Sequence, residues 1–254
     1  MAMRRKSVVV GVSGVVVLAL VIFAVWPREK EPVYQGKKLS EWLTVYSRAD
    51  HRVSLIETVN GMGHAIARPE DVETVRQAKA ERSAASEAVQ QIGTNAVPIL
   101  LSWISYERPR WRKGIYHFFV PEAELRAWLA VEGFETLGQK AVSALPELRM
   151  MSTNVNRPET AQRAIRSLGY FGENGFSALM GVVSSGTQFK RAALDTIASA
   201  VRFHRLSATS EDMREATPRI ISVLSDPDIL ARKGATNLLQ IIAPEALTNG
   251  ISVH

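Results

Sequence analysis

A small residue preceded by a fixed apolar face returns five times in this chain, and that recurrence limits the fold more than any other feature. The small residues are Gly93, Gly138, Gly169, Ala198 and Ala243. One position before each sit Ile92, Leu137, Leu168, Ile197 and Ile242. Four before sit Val89, Phe134, Ile165, Leu194 and Leu239, and five before sit Ala88, Gly133, Ala164, Ala193 and Leu238. Eight before sit Ala85, Ala130, Ala161, Lys190 and Ala235. Offsets of one, four, five and eight lie on one face of an α-helix, so each segment is an amphipathic helix. Small side chains on that face let a neighbouring helix approach, and large ones fill the groove between them. A glycine or alanine at the end is expected to close the helix, since glycine tolerates the left-handed C-cap conformation.

A second helix is expected after each turn. Val97, Leu100, Leu101 and Ile104 share a face, as do Val142, Leu145 and Leu148. Phe176, Leu179, Met180 and Val183 follow "YFGENG", and Ile220, Ile221 and Leu224 follow a long stretch over 199–217. The five anchors are 45, 31, 29 and 45 residues apart, the period of a helical hairpin. One hairpin cannot bury its own face and must stack on the next. Helix starts agree: Asn156 with Pro158 and Glu159, Thr187, Ser210 with Glu211 and Asp212, and Asp226 with Pro227 and Asp228 are N-terminal signals. No stretch after residue 40 alternates in the manner of a strand. The expected class is all-α, built of stacked helical hairpins.

"AVQQIGTNAVPILLSWI", "GFETLGQKAVSALPEL", "AIRSLG" and "SVLSDPDILARKGATNLLQIIA" carry a resemblance to the HEAT-repeat family, and more narrowly to its bacterial members with an N-terminal membrane segment. It covers residues 83–247, with Asp226 and Asp228 as the aspartate-punctuated turn. The pattern is departed from at 199–217, and at the end, where "APEALTNGISVH" is too short for a full second helix. The resemblance implies an α-solenoid used for protein binding and no common catalytic residue. Some HEAT-like proteins resemble bilin lyases, so the fold does not exclude chemistry.

Ahead of the repeats, residues 8–26 form a run of 19 without a charge. As a helix this spans roughly 28 Å, close to the hydrocarbon thickness of a bilayer. Arg4, Arg5 and Lys6 make residues 1–7 a basic tip, and Trp26, Arg28 and Lys30 mark the far interface. A cleaved signal peptide fits less well, because Ala24, the best cut site, has the bulky Ile22 two places before it. A lipid-attachment site needs a cysteine, and the chain has none. Residues 8–26 therefore read as a single-pass signal anchor in a bacterial cytoplasmic membrane, with the C-terminal part facing the periplasm. Residues 27–38 read as a charged linker, and 39–82 as an irregular helical region. There "LSEWLTVY" gives a brief helix with Ser40 as N-cap, the pattern weakens over 47–68, and Pro69 starts a helix to Ile92. Residues 248–254 form a tail.

The net charge of +6 shrinks once the three basic residues of the tip are set aside, leaving 28 basic against 25 acidic side chains. That balance does not describe a nucleic-acid surface. No phosphate-binding glycine loop, HExxH or nucleophile elbow occurs. The five histidines, His51, His64, His117, His204 and His254, lack metal-ligand spacing, and Asp226 and Asp228 stand where carboxylates cap a helix. No cofactor, metal or catalytic set is expected. One stretch stands out, "YERPRWRKGIYHFF" over 106–119. It places Arg108, Arg110, Arg112 and Lys113 among Trp111, Tyr116 and other aromatics. Guanidinium groups beside aromatics suit carboxylate, phosphate or peptide recognition, and the same pattern suits an insertion whose aromatics pack while its cations stay solvated. The chain is thus expected to be a membrane-anchored, non-catalytic scaffold for other proteins, with Arg108, Arg110, Trp111, Arg112, Lys113 and Tyr116 as candidate contacts. An adaptor for anionic lipid or cell-wall polymer through 106–119 is the alternative.

Overall fold

The computed structural model describes residues 30–61, 69–109 and 120–249, and these are mostly helical. The anchor expected at 8–26, the basic tip, Arg110, Trp111, Arg112, Lys113 and Tyr116, and the last five residues lie outside the described residues. Among the described residues, no helix is long and apolar enough to cross a membrane.

The expected linker ends in structure. Val33–Tyr34 (β1) pairs antiparallel with Lys37–Lys38 (β2) across a two-residue turn. Gln35 and Gly36 in that turn both hold positive φ, 48° and 76°, the twist a tight hairpin requires. The hairpin is fastened to the next helix by the Trp42 indole, which donates to the Tyr34 carbonyl at 3.0 Å, and by Lys37 over the Trp42 ring.

Helix α1, Leu39–Gly61, is a second departure, for it continues well past Tyr46. The apolar stripe of Leu39, Trp42, Leu43 and Tyr46 is extended by Ala49 and Val53, all buried. Its start is not capped by Ser40. Glu41, three residues into the helix, reaches back to the Lys38 amide at 2.7 Å, and the Glu31 carboxylate accepts the Ser40 amide at 3.0 Å.

The helices that follow are α2 (Pro69–Ile92), α3 (Val97–Ile104), α4 (Glu122–Leu137), α5 (Leu145–Ser152) and α6 (Pro158–Leu168). Then come α7 (Glu173–Ser184), α8 (Lys190–Arg202), α9 (Glu211–Ser222), α10 (Ile229–Ile242) and the short α11 (Glu245–Asn249). Helices α2, α4, α6, α8 and α10 each pack on the next of that set, and α1 packs on α2 and α4. The intervening helices lie against the first set: α3 on α4, α5 on α6, α7 on α8 and α9 on α10. Most of the buried apolar side chains form one cluster from Leu39 to Ala243. The small residues of the recurring face, Ala85, Ala88, Ala130, Ala161, Ala164, Ala193 and Ala235, are all buried in it. They allow the close approach the pattern implies: a methyl group added at Gly133 would sit 2.6 Å from Leu100 Cδ2.

The closing residues behave less uniformly than the pattern suggests. Gly93 and Gly138 take positive φ, 62° and 50°, and end α2 and α4 as C-caps. Gly169 stays right-handed at φ −63°, and Ala198 lies inside α8, which runs to Arg202. After Arg202 the chain turns through His204, at φ 56°. The Arg205 amide reaches the Ala200 carbonyl at 2.8 Å and the His204 amide reaches that of Val201 at 3.1 Å. This is a Schellman closure with histidine where glycine is usual. The stretch at 199–217 thus divides into a helix end, a loop and the first half of α9. Val142 and Ile221, read as inward-facing, are 44% and 37% exposed. Val142 falls in the 3₁₀ segment Gly138–Ala144, whose three-residue pitch rotates it off the α-helical face.

Two helix starts carry the side-chain caps their signals announced, whereas α6 is preceded by Arg157 rather than capped by Asn156, and α8 begins at Lys190 after Phe189 rather than at Thr187, neither with a side-chain cap. Ser210 accepts the Met213 amide at 3.3 Å, and Asp228 accepts that of Leu230 at 2.8 Å. Asp226 accepts the Asp228 amide at 2.9 Å and pairs with Lys190 of α8. Lys190 had the register of a core position and ends in an ion pair.

Candidate functional site

Outward positions of α4, α6 and α8 converge on a groove of about 470 Å³. Its floor is apolar and close-packed, from Ile165 and Gly169 of α6 and its end to Ala192 and Ala200 of α8. Gly169 lets the walls approach, since a methyl group there would lie 2.6 Å from Thr196 Cγ2. Trp128, on α4, is 41% exposed because its neighbours Ala127, Ala130 and Val131 face the core and turn it outward. Arg166, one turn beyond Gln162 on α6, lays its guanidinium over the Trp128 ring at 5.2 Å. Arg205, aimed by the Schellman turn, stacks on Tyr170 at 4.6 Å and on Phe203 at 5.4 Å. Cation and ring stabilise one another in such pairs and hold both planes in place.

The charges at the groove are unevenly matched. Arg205 pairs with Glu135 of α4 at 2.7 Å, and Asp195 of α8 pairs with Arg191 at 3.2 Å. Arg166 has no carboxylate partner among the described residues. Burial and the nearby Glu135 carboxylate push the Tyr170 phenol up, so it stays a neutral hydroxyl.

One turn before Glu135, Glu132 faces α1. Its Oε1 accepts from the Ser47 hydroxyl at 2.9 Å, while Oε2 is buried with no hydrogen-bond partner. Burial pushes this carboxyl up to about 7, the Ser47 hydrogen bond pulls it down, and the Glu135 and Asp50 carboxylates raise it further. Arg82 of α2 is engaged by Asp50 at 3.2 Å and by the Tyr46 hydroxyl at 3.0 Å.

Of the six residues singled out in 106–119, Arg108 alone lies among the described ones. It bridges Glu124 and Glu159: its guanidinium pairs with both carboxylates, and its amide donates to Glu159 at 3.1 Å. Beside it Arg163, 2% exposed, donates to the Ile104 carbonyl at 3.2 Å and to that of Tyr106. Glu107 accepts the Thr160 amide in the first turn of α6. Residues 104–108 are therefore stitched to α6, and Arg108 belongs to that seam. The groove residues escaped a reading by motif because they come from three helices and a turn. The available signal was Trp128, a large aromatic on the polar side of an otherwise regular stripe.

Among the described residues no cluster of three His, Asp or Glu side chains is placed to hold a metal. No family model matches the chain, and no curated protein or solved structure shows significant similarity to it.

Proposed function

We propose that this chain is a membrane-anchored, non-catalytic scaffold that binds other proteins through a HEAT-like α-solenoid. The carrying observation is the succession of α2, α4, α6, α8 and α10, each packed on the next with a second helix against it. Such an array buries a continuous core while leaving an extended face free for a partner. Residues 8–26 supply the anchor, an uncharged run of bilayer length between basic flanks. The solenoid then projects from a bacterial cytoplasmic membrane into the periplasm. The reading as an adaptor for anionic lipid or polymer draws on 106–119, where Arg108 is already taken up by Glu124 and Glu159.

Two measurements test this. The full chain should stay with membranes through carbonate washing, and release of a protein shortened near residue 26 would replace the anchor with a cleaved leader. Crosslinking in intact cells, followed by detergent extraction, should recover the same protein partner repeatedly. Failure to recover any partner from a chain that shows turnover of its own would overturn the scaffold reading.

A further inference from the structure

The groove between α6 and α8 has an asymmetry that its internal contacts leave unresolved. Arg205 and Asp195 each hold an opposite charge, Glu135 and Arg191 respectively. Among the described residues Arg166 is held by Trp128 without a carboxylate partner, and it lines a cavity large enough for part of an extended peptide. Stacking on the indole removes much of the freedom an arginine loses on binding, so the fork is pre-positioned. Gln162 and Ser199 line the same groove, adding an amide and a hydroxyl that can donate to a ligand there. Among the described residues no carboxylate pairs with Arg166, and beside it lies the apolar floor of Ile165 and Ala192 with the exposed part of Trp128.

We propose that this groove binds an acidic peptide segment of a partner protein, with Arg166 receiving an aspartate or glutamate carboxylate and Trp128 covering the apolar residue beside it. The proposal rests on the scaffold reading and names the chemistry of its partner. A carboxylate matches the planar fork with two parallel hydrogen bonds and carries a single charge. A phosphate brings nearly two, and Asp195 on the opposite wall opposes the excess. A lipid headgroup would also bring acyl chains, for which a groove of about 470 Å³ already shared with polar side chains offers little apolar depth.

The test uses the full chain in nanodiscs of zwitterionic lipid and fluorescein-labelled pentapeptides, acetylated and amidated, with leucines flanking a central residue. Fluorescence anisotropy should show the glutamate or aspartate peptide binding about tenfold or more tightly than its glutamine or asparagine counterpart. Arg166→Gln should abolish that preference, while Arg166→Lys, a point charge without the fork, should keep part of it. Arg219→Gln, at an exposed site on α9, should leave it unchanged, as a nonspecific effect of positive charge would not. Equal binding of charged and neutral peptides, a preference that survives Arg166→Gln, or no binding at millimolar peptide overturns the proposal. Displacement of the acidic peptide by soluble dioctanoyl phosphatidylglycerol more readily than by unlabelled peptide overturns it in favour of lipid. The scaffold reading is separable: crosslinked partners recovered equally with wild type and Arg166→Gln would sink the groove alone, and no partner with either would sink both.

Discussion

Replacing Glu132 by glutamine should flatten the dependence of stability on pH. The carboxyl stands at about 7 in the folded chain against an ordinary value of 4.5, so the folded state holds a proton that the unfolded state has already released. Its contribution to stability is fully present below the unfolded value and is lost as pH rises through the folded one. The window is therefore about pH 4.5 to 7. At about 1.36 kcal/mol for each unit of difference the ceiling is roughly 3 kcal/mol. Solvent reaches part of the side chain, which reduces the figure to about 1–2 kcal/mol. The groups around it cannot remove the effect: Ser47 already donates to Oε1, Asp50 and Glu135 are like charges, and Arg82 and Arg205 are engaged by those two carboxylates. Glutamine imitates the protonated acid and accepts the same Ser47 hydrogen bond. Urea unfolding of the full chain in neutral detergent, followed by circular dichroism, would compare the two proteins at about pH 5 and pH 8. Wild type should lose about 1–2 kcal/mol relative to the variant over that interval. Asp226, held below its ordinary value by Lys190, contributes the opposite slope at acid pH, but equally in both proteins. Parallel slopes, or a wild type that gains on the variant as pH rises, would refute the burial argument.

Other perturbations read the packing directly. Leu168→Ala removes a fully buried side chain from the middle of the array and should cost about 2–5 kcal/mol in the same assay. Gly175→Ala would place a methyl 1.9 Å from the Leu168 carbonyl oxygen, where backbone must move, and should destabilise by about 1–3 kcal/mol despite alanine's better helix propensity. Arg163→Met leaves the Ile104 and Tyr106 carbonyls without their donor. It should cost about 1–3 kcal/mol and speed proteolysis around residue 106. Hydrogen exchange should be slowest over 160–184 and faster over 229–249, because α10 ends against the five-residue α11 rather than a full second helix. Equal protection of the two segments would overturn that nearest-neighbour reasoning.

The helical class and most of the buried face were legible in the chain itself, whereas each second helix packs mainly on the first helix of the following pair rather than on the helix before its own turn. Ala85, Ala88, Val89 and Ile92 declare a helix face by spacing alone, because 3.6 residues per turn is a local property of the backbone. So do Ala161, Ala164, Ile165 and Leu168, and Ser210 and Asp228 announced their helices through side chains that serve amides two or three residues on. Local geometry stopped being enough where a neighbour supplied the stabilising contact. Helix α1 runs past Tyr46 packed along α2, with Ala49 and Val53 buried, and the hairpin at 33–38 leans on Trp42. The groove belongs wholly to this second kind. Trp128, Arg166 and Arg205 come from two helices and a turn, and no spacing rule links them. Arg205 points into it through a left-handed His204, a conformation imposed by carbonyls of α8 that need donors. Periodicity records which side of a helix is buried, whereas the meeting of three outward side chains depends on how helices far apart in the chain are set against one another.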